Sequence, residues 1–327
     1  MDLLNGTKNQ HFVSQVEQRL NAVNPSAREE NKKIYSFSLK DRESHSIILD
    51  SEKGFKISRT LNLKDIFSFD ILGKDVERYN FEKLFHQYET NIKSNTESLI
   101  SKLPTPGADI KPEILNIFAS KFLNFVRNPY SIKKALDTFF PLRNIHPTDP
   151  IHYKNFERVL NGRKPHQSYL CEQLGVTEEE YVDWLSVIFL CLTPIEGDQP
   201  NFLEKTVKDL FENPNLFIMV FIYTYDEKTC LLSDRGYSIP LPEKDDHMAW
   251  DFNLYSNGFI RYFFGDFDFL VPASASKYLI ENLKVAPKSI PVHNVVNDLN
   301  ELEQYNKHVV YQCHKNVFNS SVECYGL

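Results

Sequence analysis

The hydrophobic pattern of this chain changes its period twice, and this change is the strongest limit on its fold. Before residue 70, apolar residues alternate as they do in strands, for example at Ile34, Phe37 and Leu39. From about 75 to 212 they recur at helical spacing, and after Pro214 the strand period returns. This order predicts an α+β protein with a small N-terminal antiparallel sheet, a helical middle and a C-terminal antiparallel sheet with hairpins.

The same changes of period divide the chain into sub-parts at 1–72, 73–213 and 214–327. A chain of 327 residues is long enough for one large or two modest domains. Since the two β parts could pair across the helices, we expect one composite domain over 1–327.

Local signals place the elements of the first half. Phe12, Val16 and Leu20 are spaced as on one helix face, which predicts a helix at His11–Val23. Asp75 could cap a long helix at Val76–Leu103, which the Pro104-Thr-Pro-Gly107 segment would end. The predicted strands are Lys33–Leu39, Ser46–Leu49 and Phe55–Leu61.

The later elements follow from the same reasoning. Thr177-Glu-Glu-Glu180 is typical of a capping box that begins a helix ending at Leu192. The other predicted helices are 111–126, 130–140, 151–161, 165–174, 201–212, 273–283 and 294–306. The predicted strands are 216–225 and 230–240 in one hairpin, 250–256 and 259–264 in a second, then 268–271 and 308–312.

Composition excludes some functions and leaves others open. The net charge of −7 argues against a basic footprint over the whole protein, although a local patch of Lys121, Arg127, Lys133 and Lys134 could meet nucleic acid. With 11 glycines and neither a P-loop nor a GxGxxG motif, nucleotide-binding loops of those kinds lack support.

Cysteine spacing and apolar run lengths point to a cytoplasmic protein. The five cysteines are odd in number and widely spaced, which disfavours a disulfide framework or a structural zinc site. We expect no secretory signal and no contact with a membrane, because the apolar runs are far shorter than a bilayer span.

Three polar groups in the first half are candidates for chemistry. His11, Gln15 and Arg19 are spaced by four residues and would lie on one stripe of the first predicted helix, where they could bind phosphate or position a proton transfer. Glu82 and Glu89, seven residues apart, would share a helix face and could hold a divalent cation or act as a base. Arg127, at a helix end before Asn128-Pro129, could bind a phosphate. Each pattern is also common on solvated helix surfaces.

Two groups in the second half complete the candidates. A charged pair beside a glycine is unusual inside a strand, and Ser233-Asp234-Arg235-Gly236 has this form. Asp234 is therefore the acid that we most expect to face a cleft. Asp251, Asp266 and Asp268 could bind a cation, or could mark turns and polar edges.

Several of these pieces, in this order, resemble a bacterial family of unknown function whose members open with His-Phe-Val-Pro-Gln (domain of unknown function four-two-three-eight). The matching residues are Gln10-His11-Phe12-Val13-Ser14-Gln15 with Arg19-Leu20, where Ser14 replaces the usual proline. The other matches are Ile34-Tyr35-Ser36-Phe37, Asp65-Ile66-Phe67, Glu82 and Glu89, Arg127-Asn128-Pro129, Leu232-Ser233-Asp234-Arg235-Gly236, the asparagines 294, 297 and 300, and His308-Val309-Val310-Tyr311. Arg235-Gly236 departs from the family's Asn-Pro.

Members of that family are often found among phage-defence genes, so the resemblance implies a toxic effector. The first hypothesis is a hydrolase acting on RNA or DNA. In this hypothesis His11 is a general acid/base, and Gln15 positions it. The substrate is bound by Arg19, Arg127 and Ser233. Asp234, together with Glu82 or Glu89, activates water or holds a divalent cation. The alternatives are a recognition protein that binds a phage protein or a partner effector, and an enzyme that degrades nucleotides or NAD. The oligomeric state is left open.

Overall fold

A computed structural model describes residues 2–72, 76–197, 199–241, 246–267, 281, 282, 284 and 290–327. The predicted cap Asp75, the strand predicted at 268–271 and nearly all of the helix predicted at 273–283 lie outside these residues.

The described chain is α+β, as predicted. In chain order it has antiparallel N-terminal sheets, a helical middle and a C-terminal mixed sheet. The strands are β1 (Asn9–His11), β2 (Lys33–Asp41), β3 (Ser46–Leu49), β4 (Phe55–Lys56), β5 (Asn62–Lys64), β6 (Ser68–Leu72), β7 (Val76–Asn80), β8 (Leu216–Thr224), β9 (Leu232–Ser233), β10 (His247–Tyr255), β11 (Gly258–Asp266), β12 (Val292–Val296) and β13 (Asn316–Asn319). The helices are α1 (Gln15–Leu20), α2 (Glu82–Glu89), α3 (Ile92–Lys102), α4 (Lys111–Arg127), α5 (Ile132–Thr138), α6 (Pro150–Asn161), α7 (Gln167–Leu174), α8 (Glu178–Leu192), α9 (Phe202–Glu212) and α10 (Leu299–Gln312).

The chain forms two compact units, each assembled from three separate stretches of sequence. The first unit comprises Met1–Ser14, Thr60–Ile92 and Asn116–Thr206. The second unit comprises Gln15–Arg59, Lys93–Leu115 and Val207–Leu327. The single composite domain stays a prediction.

Helix α8 is the centre of the first unit. It is apolar on all sides and buried from Trp184 to Leu192, because α5, α6 and α7 all pack on it. The polar atoms of its large side chains have partners: Trp184 Nε1 donates to the Val126 carbonyl at 2.7 Å, and the Tyr181 hydroxyl donates to the Ile66 carbonyl at 2.7 Å. These two bonds attach α8 to α4 and to the segment before β6.

The second unit contains two sheets that share one apolar cluster with α10. The first sheet has the strand order β10-β11-β8-β12, and the second has the order β3-β2-β13-β9 with β4 beside β2. Aromatic rings form the cluster's centre, where Phe259 stacks on Tyr305 of α10 at 4.0 Å and on Tyr223 at 4.4 Å between centroids.

The C-terminal sheet departs from the predicted hairpin order. The hairpin of β10 and β11 is confirmed, but the predicted hairpin of 216–225 with 230–240 is wrong. Strand β8 instead lies between β11 and β12, and β12 is parallel to it. After the turn the chain leaves this sheet: Cys230 N–H donates to the Ser256 carbonyl at 2.7 Å, and β9 pairs with β13. An apolar strand such as Leu216–Tyr223 suits an interior position with neighbours on both sides.

Three predicted helices have different bounds because tertiary pairing overrides the local pattern. The first begins at Gln15 rather than His11, since Asn9–His11 pairs with Asn62–Lys64. The helix predicted at 76–103 begins instead as strand β7, paired with β6, and continues as α2 and α3. The helices predicted between 111 and 212 are confirmed within a few residues.

The end of the chain reverses the predicted order of elements. A strand (β12) occupies 292–296, and the helix α10 runs from Leu299 through the strand predicted at 308–312. Asn297 has a φ of 57° and ends the strand. Asp298 then caps α10, because its side chain accepts from the N–H groups of Asn300 and Glu301. In the third predicted strand of the N-terminal part, only Phe55–Lys56 is extended, and Ile57–Arg59 is a short 3-10 helix.

The capping box that the sequence predicts at the start of α8 can be tested by its effect on stability. The Thr177 hydroxyl accepts from Glu180 N–H at 3.0 Å, and Glu180 accepts from Thr177 N–H at 2.7 Å. We expect Thr177→Ala to lower the free energy of unfolding by about 1 kcal/mol, because a helix-terminal N–H loses its partner. Urea unfolding measures this loss. Thr105→Ala, in the exposed segment after α3, is the control and should change stability by less than about 0.5 kcal/mol. Equal stability of the two variants would contradict the prediction.

Candidate functional site

Three of the predicted site residues come together in the first unit. Arg127 is the last residue of α4, and its Nη1 donates to Glu89 Oε1 on α2 at 2.5 Å. Its Nη2 donates to Asn124 Oδ1 at 3.0 Å, and its guanidinium lies 4.7 Å from the ring centroid of Phe85. With 1% of its surface exposed, Arg127 is buried and its guanidinium is occupied by these contacts, and its role as a phosphate ligand stays a prediction.

Glu82, at the start of α2, lies close enough to Glu89 and Arg127 to feel both charges. Burial raises the pKa of its carboxyl to about 7, the nearby charge of Arg127 acts against this, and the charge of Glu89 adds to it. Its Oε1 is buried and has no hydrogen-bond partner among the described residues. A carboxyl with a pKa near neutrality can both accept and release a proton in water at pH 7, as a general acid/base must.

Asn80 positions the start of α2. It is fully buried, its Oδ1 accepts from Glu82 N–H at 3.1 Å, and its amide donates to the carbonyls of Asn5 and Thr7 at 3.1 and 3.2 Å. The N-terminal segment of the chain therefore holds the residue that orients Glu82. Sequence spacing alone could not find Asn80, because its partners lie more than seventy positions away.

The predicted stripe of His11, Gln15 and Arg19 is only partly correct. His11 lies in β1, opposite Asn62, and not on the helix. Gln15 and Arg19 do share a face of α1, where Arg19 Nη2 donates to Gln15 Oε1 at 2.9 Å. His11 belongs to the first unit, and Gln15 and Arg19 belong to the second.

Asp234 and Ser233, also in the second unit, accept hydrogen bonds from backbone N–H groups. The Asp234 carboxylate is 3% exposed and accepts from the N–H groups of His314, Lys315 and Asn316 at 2.8, 2.7 and 2.9 Å. Burial raises the pKa of this carboxyl, and the three N–H donors act against that rise. Ser233 Oγ accepts from Arg235 N–H at 3.1 Å. Both carboxylate oxygens thus hold the turn between α10 and β13, and the catalytic roles of these two residues stay predictions.

The second unit also contains an ion pair that sequence reasoning missed. Asp251 is fully buried and binds Arg261 through two parallel contacts of 2.7 and 2.9 Å, and Arg261 also meets Glu301 at 3.0 Å. Asp251 therefore neutralises a guanidinium instead of a metal cation. The hairpin turn at Ser256-Asn-Gly258 could not by itself predict this pair, because a register shift between Asn253 and Tyr255 is what brings Asp251 opposite Arg261. Asp266 is partly exposed, and Asp268 lies outside the described residues.

The predicted basic patch is wrong as a surface feature. Lys121 and Arg127 are each 1% exposed, and of the four residues only Lys133 is exposed and Lys134 partly so. Within the described part of the chain, no group of three or more His, Cys, Asp or Glu side chains is placed to hold a metal ion. No described helix is long and apolar enough to cross a membrane.

A groove of about 460 Å³ in the second unit is lined by Arg19. Two lysines, Lys32 and Lys93, line it with Arg19, and Thr96, Ile100 and Tyr255 lie on its walls. We call it the Arg19 groove. Sequence reasoning identified Arg19 but not the lysines, because they reach the groove from a turn and from another helix.

Comparison with known proteins gives no relative: no family model, no curated protein and no solved structure matches the chain. The resemblance to the His-Phe-Val-Pro-Gln family therefore stays a prediction.

Glu82 makes stability depend on pH. Its pKa is about 7 in the folded protein against an ordinary value of 4.5, so the folded state holds the proton more tightly. This contribution to stability is complete below about pH 4.5 and is lost as the pH rises through about 7. We expect the free energy of unfolding of the wild type to fall by roughly 2–3 kcal/mol more than that of Glu82→Gln between pH 4.5 and 8. Urea unfolding at both pH values measures the difference. Glu172→Gln, at an exposed position, should keep the wild-type dependence, and parallel curves for wild type and Glu82→Gln would refute the assignment.

The three hydrogen bonds that Asp234 accepts can also be tested by their effect on stability. We expect Asp234→Asn to lower the free energy of unfolding at pH 7 by about 3 kcal/mol. An amide has only one acceptor oxygen, so its NH2 group would face at least one of the three backbone N–H donors. Exposed Asp209→Asn is the matched control. An Asp234→Asn protein that is as stable as the wild type but has lost the activity of the wild type would instead favour the catalytic role that the sequence predicts for Asp234.

Proposed function

We propose that the protein is a hydrolase that cleaves the phosphodiester backbone of nucleic acid, with Glu82 as its general acid/base. The observation that carries this proposal is the raised pKa of the Glu82 carboxyl, about 7, in a partly buried site beside the Glu89–Arg127 ion pair. A carboxyl of ordinary pKa would be too weak a base at pH 7, whereas this one transfers protons near its optimum.

The reaction follows from one carboxyl acting twice. The Glu82 carboxylate takes the proton of an attacking hydroxyl, either water or the ribose 2′-hydroxyl, as its oxygen bonds to phosphorus. The bond from phosphorus to the leaving oxygen then breaks, and the protonated Glu82 returns the proton to that oxygen. Glu89 and Arg127 set the charge around Glu82, and Arg127, which is buried, is not proposed as a substrate contact.

The role in phage defence rests on the sequence resemblance alone. A toxic nuclease would act on host or phage nucleic acid after a trigger, and such an effector needs no other enzymatic activity. The proposal therefore has a biochemical part, tested on purified protein, and a cellular part, tested in a bacterial host.

We expect purified wild-type protein to cleave fluorophore-labelled RNA or DNA, and Glu82→Gln to lower the rate by about 10²- to 10⁴-fold, because a general acid/base contributes about that much. The cleavage rate of the wild type should change as the pH passes through 7, and this change should be absent from the pH–rate profile of Glu82→Gln. Comparing RNA with its 2′-deoxy counterpart identifies the nucleophile, and repeating the assay in EDTA and in Mg²⁺ tests the predicted divalent cation. Glu172→Gln should cleave like the wild type. No cleavage by the wild type, or an unchanged rate in Glu82→Gln, would sink the proposal.

A recognition protein is the second candidate, and one face of a sheet favours it. Residues of β8 alternate between full and partial burial, so that Phe217, Met219 and Phe221 form a half-exposed aromatic stripe, which Phe263 of β11 extends. Aromatic and methionine side chains are enriched where proteins bind one another. In cells, phage protection that persists in Glu82→Gln, with RNA and DNA intact, would favour this candidate over the hydrolase.

A further inference from the structure

The Arg19 groove, within the second unit, combines positive charge with an apolar wall. Arg19 enters from α1, Lys32 from the turn before β2, and Lys93 from the first turn of α3. Leu20, Pro25 and Tyr255 supply much of the apolar lining. Small-molecule sites commonly have this make-up, and a volume of about 460 Å³ lies in their usual range.

Two cations of the groove, Arg19 and Lys32, are less exposed than the acid that faces them. Glu29 bridges two of them, with 2.8 Å from Oε2 to Arg19 Nε and 2.8 Å from Oε1 to Lys32 Nζ. The Glu29 side chain is 57% exposed, whereas Arg19 is 28% and Lys32 11% exposed. Lys93 faces Glu97 at a loose 3.7 Å, and both are largely exposed. Both acids are more than half exposed, so either carboxylate can turn into solvent and leave its cation to a ligand anion.

We propose that the Arg19 groove binds a nucleoside monophosphate, with the phosphate between Arg19 and Lys32 in the place of the Glu29 carboxylate and the base against the wall formed by Ile100 and Tyr255. The geometry of the carboxylate contacts carries the phosphate part, because an arginine and a lysine that share one carboxylate can share a phosphate in the same way. The apolar wall and the volume carry the base. This binding site does not depend on the proposed hydrolase function.

The test is isothermal titration of the full chain with AMP and UMP, and with adenosine and inorganic phosphate alone. We expect at least one of the two nucleotides to bind about tenfold or more tightly than its separate parts. The nucleoside lacks the charged hydrogen bonds, worth about 1.5–3 kcal/mol each, and inorganic phosphate lacks the base that packs on the apolar wall. Affinity should fall as salt is added. Phosphate binding as tightly as both nucleotides would overturn the base contact, and no binding of AMP or UMP at millimolar concentration would overturn the site.

Variants that act in opposite directions separate binding from damage to the fold. Lys32→Met should weaken nucleotide binding about tenfold, whereas Glu29→Gln, which removes the competing carboxylate, should strengthen it several-fold. Lys208→Met, which removes a lysine from an exposed pair with Glu212 on α9, is the control and should bind like the wild type. Weaker or unchanged binding in Glu29→Gln would overturn the proposed position of the phosphate. The readout is binding, so the result is independent of nuclease activity.

Discussion

A carboxylate taken out of water must find a cation or several N–H donors, and in the second unit Asp234 meets this need with the backbone. The three donors lie in the turn that leads from α10 into β13. Strand β13 is the interior strand between β2 and β9, so it joins residues from both ends of the chain into one sheet. Because Asp234 directly follows β9, its three hydrogen bonds link the end of β9 to the turn between α10 and β13.

The same physical constraint has different outcomes at the other buried acids. Asp251 meets a guanidinium in a bidentate pair. Glu89 likewise meets Arg127, but Glu82, close to that pair, has an oxygen with no partner among the described residues and holds its proton to about pH 7. A buried carboxyl that keeps its proton to near-neutral pH can exchange that proton in water at pH 7. That difference is why Glu82, and not Asp234, carries the proposed chemistry.

Sequence patterns predicted the helices between 111 and 212 and the hairpin of β10 and β11, because periodicity, caps and turns are local properties. They failed at Asn9–His11 and Val76–Asn80, where a distant strand decides the conformation. Of the site, spacing correctly associated Glu82 with Glu89, and Gln15 with Arg19. Burial was not predictable from spacing, and burial is what turned Arg127 and Lys121 from surface cations into interior ones.

The sequence by itself determined the α+β class, the positions of most helices and the residue types available for chemistry, since all of these follow from hydrophobic period and composition. Only the tertiary structure decided which carboxylates are paired, which cations line the Arg19 groove and which strands share a sheet. The reason is that charge pairing, desolvation and strand order arise from contacts between distant residues. Asp234, for example, meets its donors some eighty positions further along the chain.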